Sequence, residues 1–250
     1  MKGNIEWNGK KYSVDLDQPF DLSLPMRSGD HNPNAFGIGK PLFEPFRAGS
    51  FVGSVALGGS TNCENLFFNP HGNGTHTECV GHISKEKITI NQSLKQFFFV
   101  ADLITVALKE KEGDLVLDTD AVKRNFTAGP EALVIRSLPN ETGKMEQIYS
   151  GTNPAYLEAE LCSWLREQGV KHLLIDLPSV DREEDQGALA AHRAFWNYPD
   201  APRRDATITE MIYASPHIPD GRYLLNIQIA SLETDASPSK PVLYTLKQEV

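Results

Sequence analysis

The run NPAYLEAELCSWLREQGVKHLLIDL, residues 153–177, decides the fold class. Asn153 and Pro154 read as an N-cap with proline at the first helical position, and Leu157, Leu161, Trp164 and Leu165 follow at helical spacing until Gly169. The pattern predicts a helix from Asn153 to Gly169 whose Leu157, Trp164 and Leu165 stripe belongs to the core. His172 to Leu177 comes next as a short, nearly unbroken apolar run, the mark of a buried strand. A helix that feeds directly into a buried strand is half of an α/β unit.

Strand signals dominate on both sides of this unit. Asn8-Gly9 between two short alternating runs predicts a hairpin within residues 1–20. Ser50–Leu57 and Glu64–Phe68 read as strands, as do Phe97–Val106, rich in aromatic and β-branched residues, and the shorter Ala132–Ile135. Near the end, Tyr223–Ile229 alternates, with Tyr223, Leu225, Ile227 and Ile229 on one face and Asn226 and Gln228 opposite, and Val242–Leu246 is one more strand. Ala188–Trp196 reads as a second helix. Residues 25–49, rich in Pro, Gly and Asn with no clear period, read as a long loop and a candidate pocket wall. No repeat or linker divides the 250 residues, so the expectation is a single mixed α/β domain with many strands and few helices.

Composition narrows the function classes. A net charge of −9 and a pI near 5.3 argue against nucleic acid, whose binding rests on clustered Lys and Arg. The first residues hold no apolar signal segment, and nowhere do about 18 uncharged apolar residues run together, so no membrane partner and a cytoplasmic address are expected. Cys63, Cys79 and Cys162 are too few and too far apart for a disulfide framework or a cysteine-only zinc site.

The chemistry concentrates in Pro70-His71-Gly72-Asn73-Gly74-Thr75-His76-Thr77-Glu78-Cys79-Val80-Gly81-His82, which gathers three of the seven histidines and one carboxylate among glycines. Imidazole nitrogens and carboxylate oxygens are ligands for a borderline divalent ion such as Zn2+ or Mn2+. His76 and Glu78, two apart, share one face of an extended segment, and His82 returns to that face if a helical turn begins after Thr77. A second set lies far along the chain: Asp176, Ser179, Asp181 and Asp185 after the 172–177 strand, then His192 and Glu210.

The run Gly74 to His82 resembles the motif H-x-G-T-H-x-D-x-P-x-H of the cyclase family, whose best-understood members are the bacterial kynurenine formamidases. Asp176-Leu177-Pro178-Ser179-Val180-Asp181, Ala191-His192, Thr209-Glu210 and Asp235-Ala236-Ser237-Pro238 look like that family's later blocks, in the same order. The resemblance implies a cyclase-like fold with a twisted or barrel-like sheet of the swivelling β/α type. It implies an arylformamidase-like hydrolase of amide or related C–N bonds acting on a small molecule, with one or two divalent ions, Zn2+ or Mn2+. It also implies a homodimer or higher homo-oligomer.

Carried over by position, His76 and Glu78 are metal ligands, His82 is catalytic, and His192 and Glu210 complete the site, His192 also serving catalysis. Three departures stand out: the first metal histidine falls on Gly72 with His71 one place earlier, the aspartate is the longer Glu78, and the motif proline is Val80. A bulge at Gly72 would bring His71 back as a ligand. Related carbon–oxygen chemistry, such as cyclisation or lactone opening, and a binding protein that has lost its metal stay open as alternatives.

The plainer readings are kept for the rest. His31, His172 and His217 are expected as ordinary surface or core residues. Cys79 is expected as a small core residue rather than a nucleophile paired with a histidine. Ser179 and Asp181 are expected to cap and turn the chain.

Overall fold

The computed structural model describes residues 1–249. Seven strands form a closed ring: Ala236–Gln248, Gly221–Ile229, Phe98–Lys111, Ala132–Leu138, His172–Ile175, Thr207–Glu210 and His76–Cys79, the last pairing back onto the first. The four strands from Phe98–Lys111 through Thr207–Glu210 run parallel, and the remaining junctions are antiparallel. Parallel strands are buried on both faces, which is why Ala132–Ile135 and Leu173–Ile175 read as continuous apolar runs. The fold is thus a single mixed α/β domain built on a barrel-like sheet.

The N-terminal strands Lys2–Trp7 and Lys10–Asp15 are joined by Asn8 and Gly9, both at positive φ, the geometry a two-residue hairpin demands. The second of them pairs with the far end of Ala236–Gln248, Val14 facing Leu246. This layer explains why the alternation in Gly221–Ile229 does not translate into one polar face. Leu225 and Ile227 enter the main core, while Leu224 is buried outside the ring against Tyr12, Val14, Val100 and Leu246. Asn226 is buried too and donates to the Phe97 carbonyl.

Two expected elements change shape. The helix predicted from Asn153 begins only at Ala159 and runs to Glu167. Asn153 sits at φ +50 and donates its side-chain amide to Asp114, while Leu117 N–H donates to the Tyr156 carbonyl and Tyr156 N–H to that of Leu115. Strand-like pairing has claimed residues that a proline-led helix would have used. Leu161 and Leu165 still enter the core, and truncating Leu161 to alanine would cost about 2–5 kcal/mol. The second correction concerns Ser50–Leu57, of which only Phe51–Val52 is strand, followed by a helical turn at Val55–Leu57.

Residues 25–49 are not loop throughout. Leu42–Pro45 pairs with Glu64–Phe67, and Arg47–Ala48 with Phe51–Val52, building an outer ribbon separate from the barrel sheet. Besides Ala159–Glu167, the longer helices are Thr119–Asn125 and Ala190–Trp196. None of the helices among the described residues is long and apolar enough to cross a membrane.

Candidate metal centre

The strand His76–Cys79 lies between Thr207–Glu210 and Ala236–Gln248, and its register builds half of the site. His76 stands opposite Glu210 on one side and Pro238 on the other, and Glu78 stands opposite Ile208 and Ala236. The two-residue repeat sends His76 and Glu78 to the same face, where both are fully buried. His76 Nε2 is 3.4 Å from Glu210 Oε2.

His71 arrives from a helical turn, Pro70–Asn73, opened by Asn69, whose side chain accepts the His71 N–H at 3.0 Å. Gly72 is pressed against its surroundings. A Cβ there would lie 2.6 Å from Ile38 Cδ1 and 2.9 Å from the Ala35 carbonyl oxygen, so no histidine fits that position without displacing the chain. His82 closes the 3-10 turn Val80–His82, which starts two residues later than a turn directly after Thr77 would. Gly81 permits that turn, since a Cβ on it would meet the Ile88 carbonyl at 1.9 Å.

His192 sits in the helix Ala190–Trp196. Asp181 accepts the backbone N–H groups of Ala191 at 2.6 Å and His192 at 3.2 Å, and also His192 Nδ1 at 2.6 Å. The residue expected to cap and turn the chain therefore also aims an imidazole.

His71, His76 and His192 share one arrangement: one ring nitrogen is held from outside and the other is turned toward the carboxylates. His76 Nδ1 donates to the Gly74 carbonyl at 3.0 Å, His192 Nδ1 to Asp181, and His71 Nε2 to Asp235 at 2.9 Å. On the inner side, His192 Nε2 is 2.9 Å from Glu78 Oε1, and His71 Nδ1 is 3.2 Å from Glu78 Oε2 without the alignment of a hydrogen bond. A histidine that binds a metal through one nitrogen typically donates the other N–H to a carboxylate or carbonyl, which is the pattern here.

Two buried atoms in the middle, His76 Nε2 and Glu78 Oε2, have no hydrogen-bond partner. Leaving such groups unsatisfied costs about 1–3 kcal/mol each, and a cation between them would satisfy both. His71, His76 and Glu78 each offer a donor atom within 4.8 Å of the others, as do Glu78, His82 and His192. The donor set fits a divalent cation.

Electrostatics point the same way. Burial alone would lower the pKa of His71, yet Asp235 and Glu78 beside it outweigh that and raise it to about 10. For His192 burial likewise opposes, and Glu78 and Asp181 push its pKa well above the ordinary value. Burial works against ionisation of Glu78, but His82, His192 and His71 hold its carboxyl well below the usual range. Asp235 is held low by its hydrogen bonds to His71 and His82. Four carboxylates, Glu78, Asp181, Glu210 and Asp235, thus converge on His71 and His192.

All the candidates meet: His71, His76, Glu78, His82, His192 and Glu210 lie around one point. Two participants lacked a role at the level of sequence. Asp181 stood in the second candidate set but was expected to cap and turn the chain. Asp235 stood in a block of family resemblance with no function attached, because only the barrel closure shows that it adjoins His71. His31 and His217 are exposed, and His172 is buried against Phe99 with Nδ1 on Thr207 Oγ1. Cys79 donates its thiol to the Ile88 carbonyl, and burial raises its pKa, so it is core and no nucleophile. All three cysteines are free.

Residues 14–182 match the family model named Cyclase, a stretch that includes His71, His76, Glu78 and His82. A kynurenine formamidase of Bacillus cereus is 26% identical over 233 residues, covering 92% of this chain and 96% of the relative. Among solved structures, a potential metal-dependent hydrolase with cyclase activity superposes with a TM-score of 0.66 at 15% identity, over 91% of this chain and 97% of the other. An isatin hydrolase bound to the product analogue thioisatinate superposes with a TM-score of 0.62 at 14% identity, over 92% and 93%.

Proposed function

The chain belongs to the cyclase family, and from that premise we propose that it is a metal-dependent hydrolase of an amide or related C–N bond, arylformamidase-like, with an N-formylkynurenine-type substrate. The observation that carries this reading is the pair of buried, unpartnered donors His76 Nε2 and Glu78 Oε2, ringed by histidines whose outer nitrogens are already held. The kynurenine formamidase relatives, similar over nearly their whole length, supply the substrate class.

His71, His76, Glu78, His192 and Glu210 would hold the cation, Zn2+ or Mn2+. Bound there, a divalent ion would supply a water whose pKa is lowered toward about 7 and would polarise a substrate carbonyl. That His71 supplies the first histidine from one residue earlier supports a working site over a homologue that has lost its metal.

His82 is the proton carrier. It is about a quarter exposed at the rim, whereas His76 and His192 are sealed inside. With Nδ1 engaged by Asp235, Nε2 is the nitrogen free to take a proton. In hydrolysis of a formamide, water adds to the formyl carbon, His82 Nε2 accepts a water proton, and the C–N bond breaks as that proton is passed to the departing nitrogen. The products are formic acid and an aromatic amine, and His82 ends as it began.

Turnover of formyl-anilides, compared with lactones, by protein stripped with a chelator and then restored with Zn2+ or Mn2+ tests the reading. Stripping is expected to abolish hydrolysis of the formyl-anilide and re-addition to restore it. Unchanged activity after verified stripping would refute it.

The outer ribbon supports a homodimer. Phe46, Phe51, Leu57, Leu66, Phe67 and Phe68 are each 36–59% exposed. They expose roughly 500 Å² of apolar side-chain surface in all, with Leu66 and Phe67 on opposite faces of the strand Glu64–Phe67. A second copy of this chain, contributing the same ribbon, would cover it isologously and supply the apolar centre of an interface of ~800 Å² per partner.

A further inference from the structure

We propose that Asp235 is a positioning residue that sets the orientation of both His71 and His82 through a single carboxylate oxygen. This rests on the hydrolase reading above and assigns a function to a side chain outside its ligand set. Oδ2 of Asp235 accepts from His71 Nε2 at 2.9 Å and from His82 Nδ1 at 3.1 Å. The two rings stack, with centroids 4.4 Å apart and planes 30° from parallel. One atom therefore holds two imidazoles in a fixed mutual arrangement.

The backbone that carries this carboxylate is well anchored although the side chain is about one-third exposed. The Asp235 carbonyl accepts the Cys79 N–H at 3.1 Å, and the preceding carbonyl, of Thr234, accepts the Ile90 N–H at 2.7 Å. The next residue, Ala236, begins the strand that pairs with Glu78. Asp235 is thus tied to the same strand junction that carries the inner carboxylate.

Two consequences follow for the histidines. Donation from His71 Nε2 leaves Nδ1 as the nitrogen turned to Glu78. Donation from His82 Nδ1 turns its Nε2 away from Asp235, the orientation that a general base acting through Nε2 needs. The first ligand and the proton carrier then depend on one carboxylate, so a change at Asp235 disturbs metal binding and proton transfer together. His71 Nε2, His82 Nδ1 and Asp235 also lie close enough to hold a cation of their own, which is the rival explanation of the same geometry.

The test uses full-length protein with Asp235→Ala and Asp235→Asn. Zn2+ affinity and stoichiometry are read by calorimetry on stripped protein, kcat and KM on a formyl-anilide, and the His82 tautomer by 15N NMR of histidine side chains. Asp235→Ala is expected to weaken Zn2+ binding about 10–100-fold at unchanged stoichiometry, to lower kcat with little change in KM, and to remove the Nδ1–H signature of His82. Asp235→Asn, which keeps a carbonyl acceptor, is expected to recover part of each.

Wild-type affinity and kcat in Asp235→Ala would overturn the proposal, and so would loss of one equivalent of Zn2+, which would make Asp235 a ligand. Should the wild-type protein bind Zn2+ without hydrolysing formyl-anilides, the hydrolase reading fails alone. The affinity and tautomer measurements then still decide for or against Asp235.

Discussion

His71 Nδ1 faces Glu78 Oε2 across 3.2 Å, from a place one residue ahead of the first histidine of the cyclase motif. The helical turn Pro70–Asn73 makes this possible, and Gly72 makes it necessary, because its Cα is packed against Ile38 and the Ala35 carbonyl. Gly72→Ala is therefore expected to destabilise the fold by about 1–3 kcal/mol through overpacking. Urea denaturation checks this. Wild-type stability in the variant would show that the contact yields freely and that Gly72 is no constraint on the motif.

The raised pKa values of His71 and His192 fix the sign of two pH effects. With its pKa raised to about 10, His71 is protonated at neutral pH, as is His192, so cation binding must displace protons. Affinity for Zn2+ is expected to rise from pH 6 to pH 8, about tenfold per unit for each proton released. Calorimetry in buffers of different ionisation enthalpy counts those protons. Stability of the stripped protein runs the other way. His71 contributes fully below about pH 6.5 and loses that contribution as pH climbs toward about 10, and His192, raised in the same direction, also contributes fully below about pH 6.5 and loses its part as pH rises. The lowered carboxyls of Glu78 and Asp181 contribute above about pH 4.5 and lose it on acidification. With His172 losing its contribution below about pH 6.5, the stripped protein is thus expected to have its highest Tm near about pH 6.5, with the stabilisation by Zn2+ growing above it.

Much of this was legible before the structure. His76, Glu78, His82, His192 and Glu210 were recognisable because a two-residue repeat on a strand and an ordered set of blocks survive in linear form. The buried parallel strands at Ala132–Ile135 and His172–Ile175 were legible from unbroken apolar runs. The helix start at Asn153 was not, since its capping signals are local, while the bond to Asp114 and the pairing with Leu115 and Leu117 are made by residues about forty positions away. Asp235 was opaque for the same reason: its meaning depends on the last strand closing the ring beside Glu78. His71 was ambiguous because only the packing at Gly72 shows which residue can carry a side chain.

His172 provides an acid-sensitive element away from the metal centre. Burial lowers its pKa to about 3, so the folded protein keeps it neutral while the unfolded chain takes up a proton below about 6.5. Its contribution is complete above that pH and is lost at roughly 1.4 kcal/mol per unit as pH falls toward 3. His172→Leu is expected to flatten the fall in Tm between pH 6 and pH 4 relative to wild type. An identical slope in both proteins would contradict this.

The ribbon makes a separate prediction about assembly. Leu66→Glu and Phe67→Glu place charges on side chains that are already more than half exposed, so the fold is expected to tolerate both. Analytical ultracentrifugation is expected to show a dimer for wild type and a monomer for the double variant. A wild-type monomer at micromolar concentration would contradict the dimer.

Anomalous scattering from crystals grown with Mn2+ or Zn2+ tests the central claim most directly. The account predicts one dominant peak per chain within coordination distance of His71, His76 and Glu78, with His192 and Glu210 on its border. No peak there, with His192 Nε2 still on Glu78 and His71 still between Glu78 and Asp235, would contradict it.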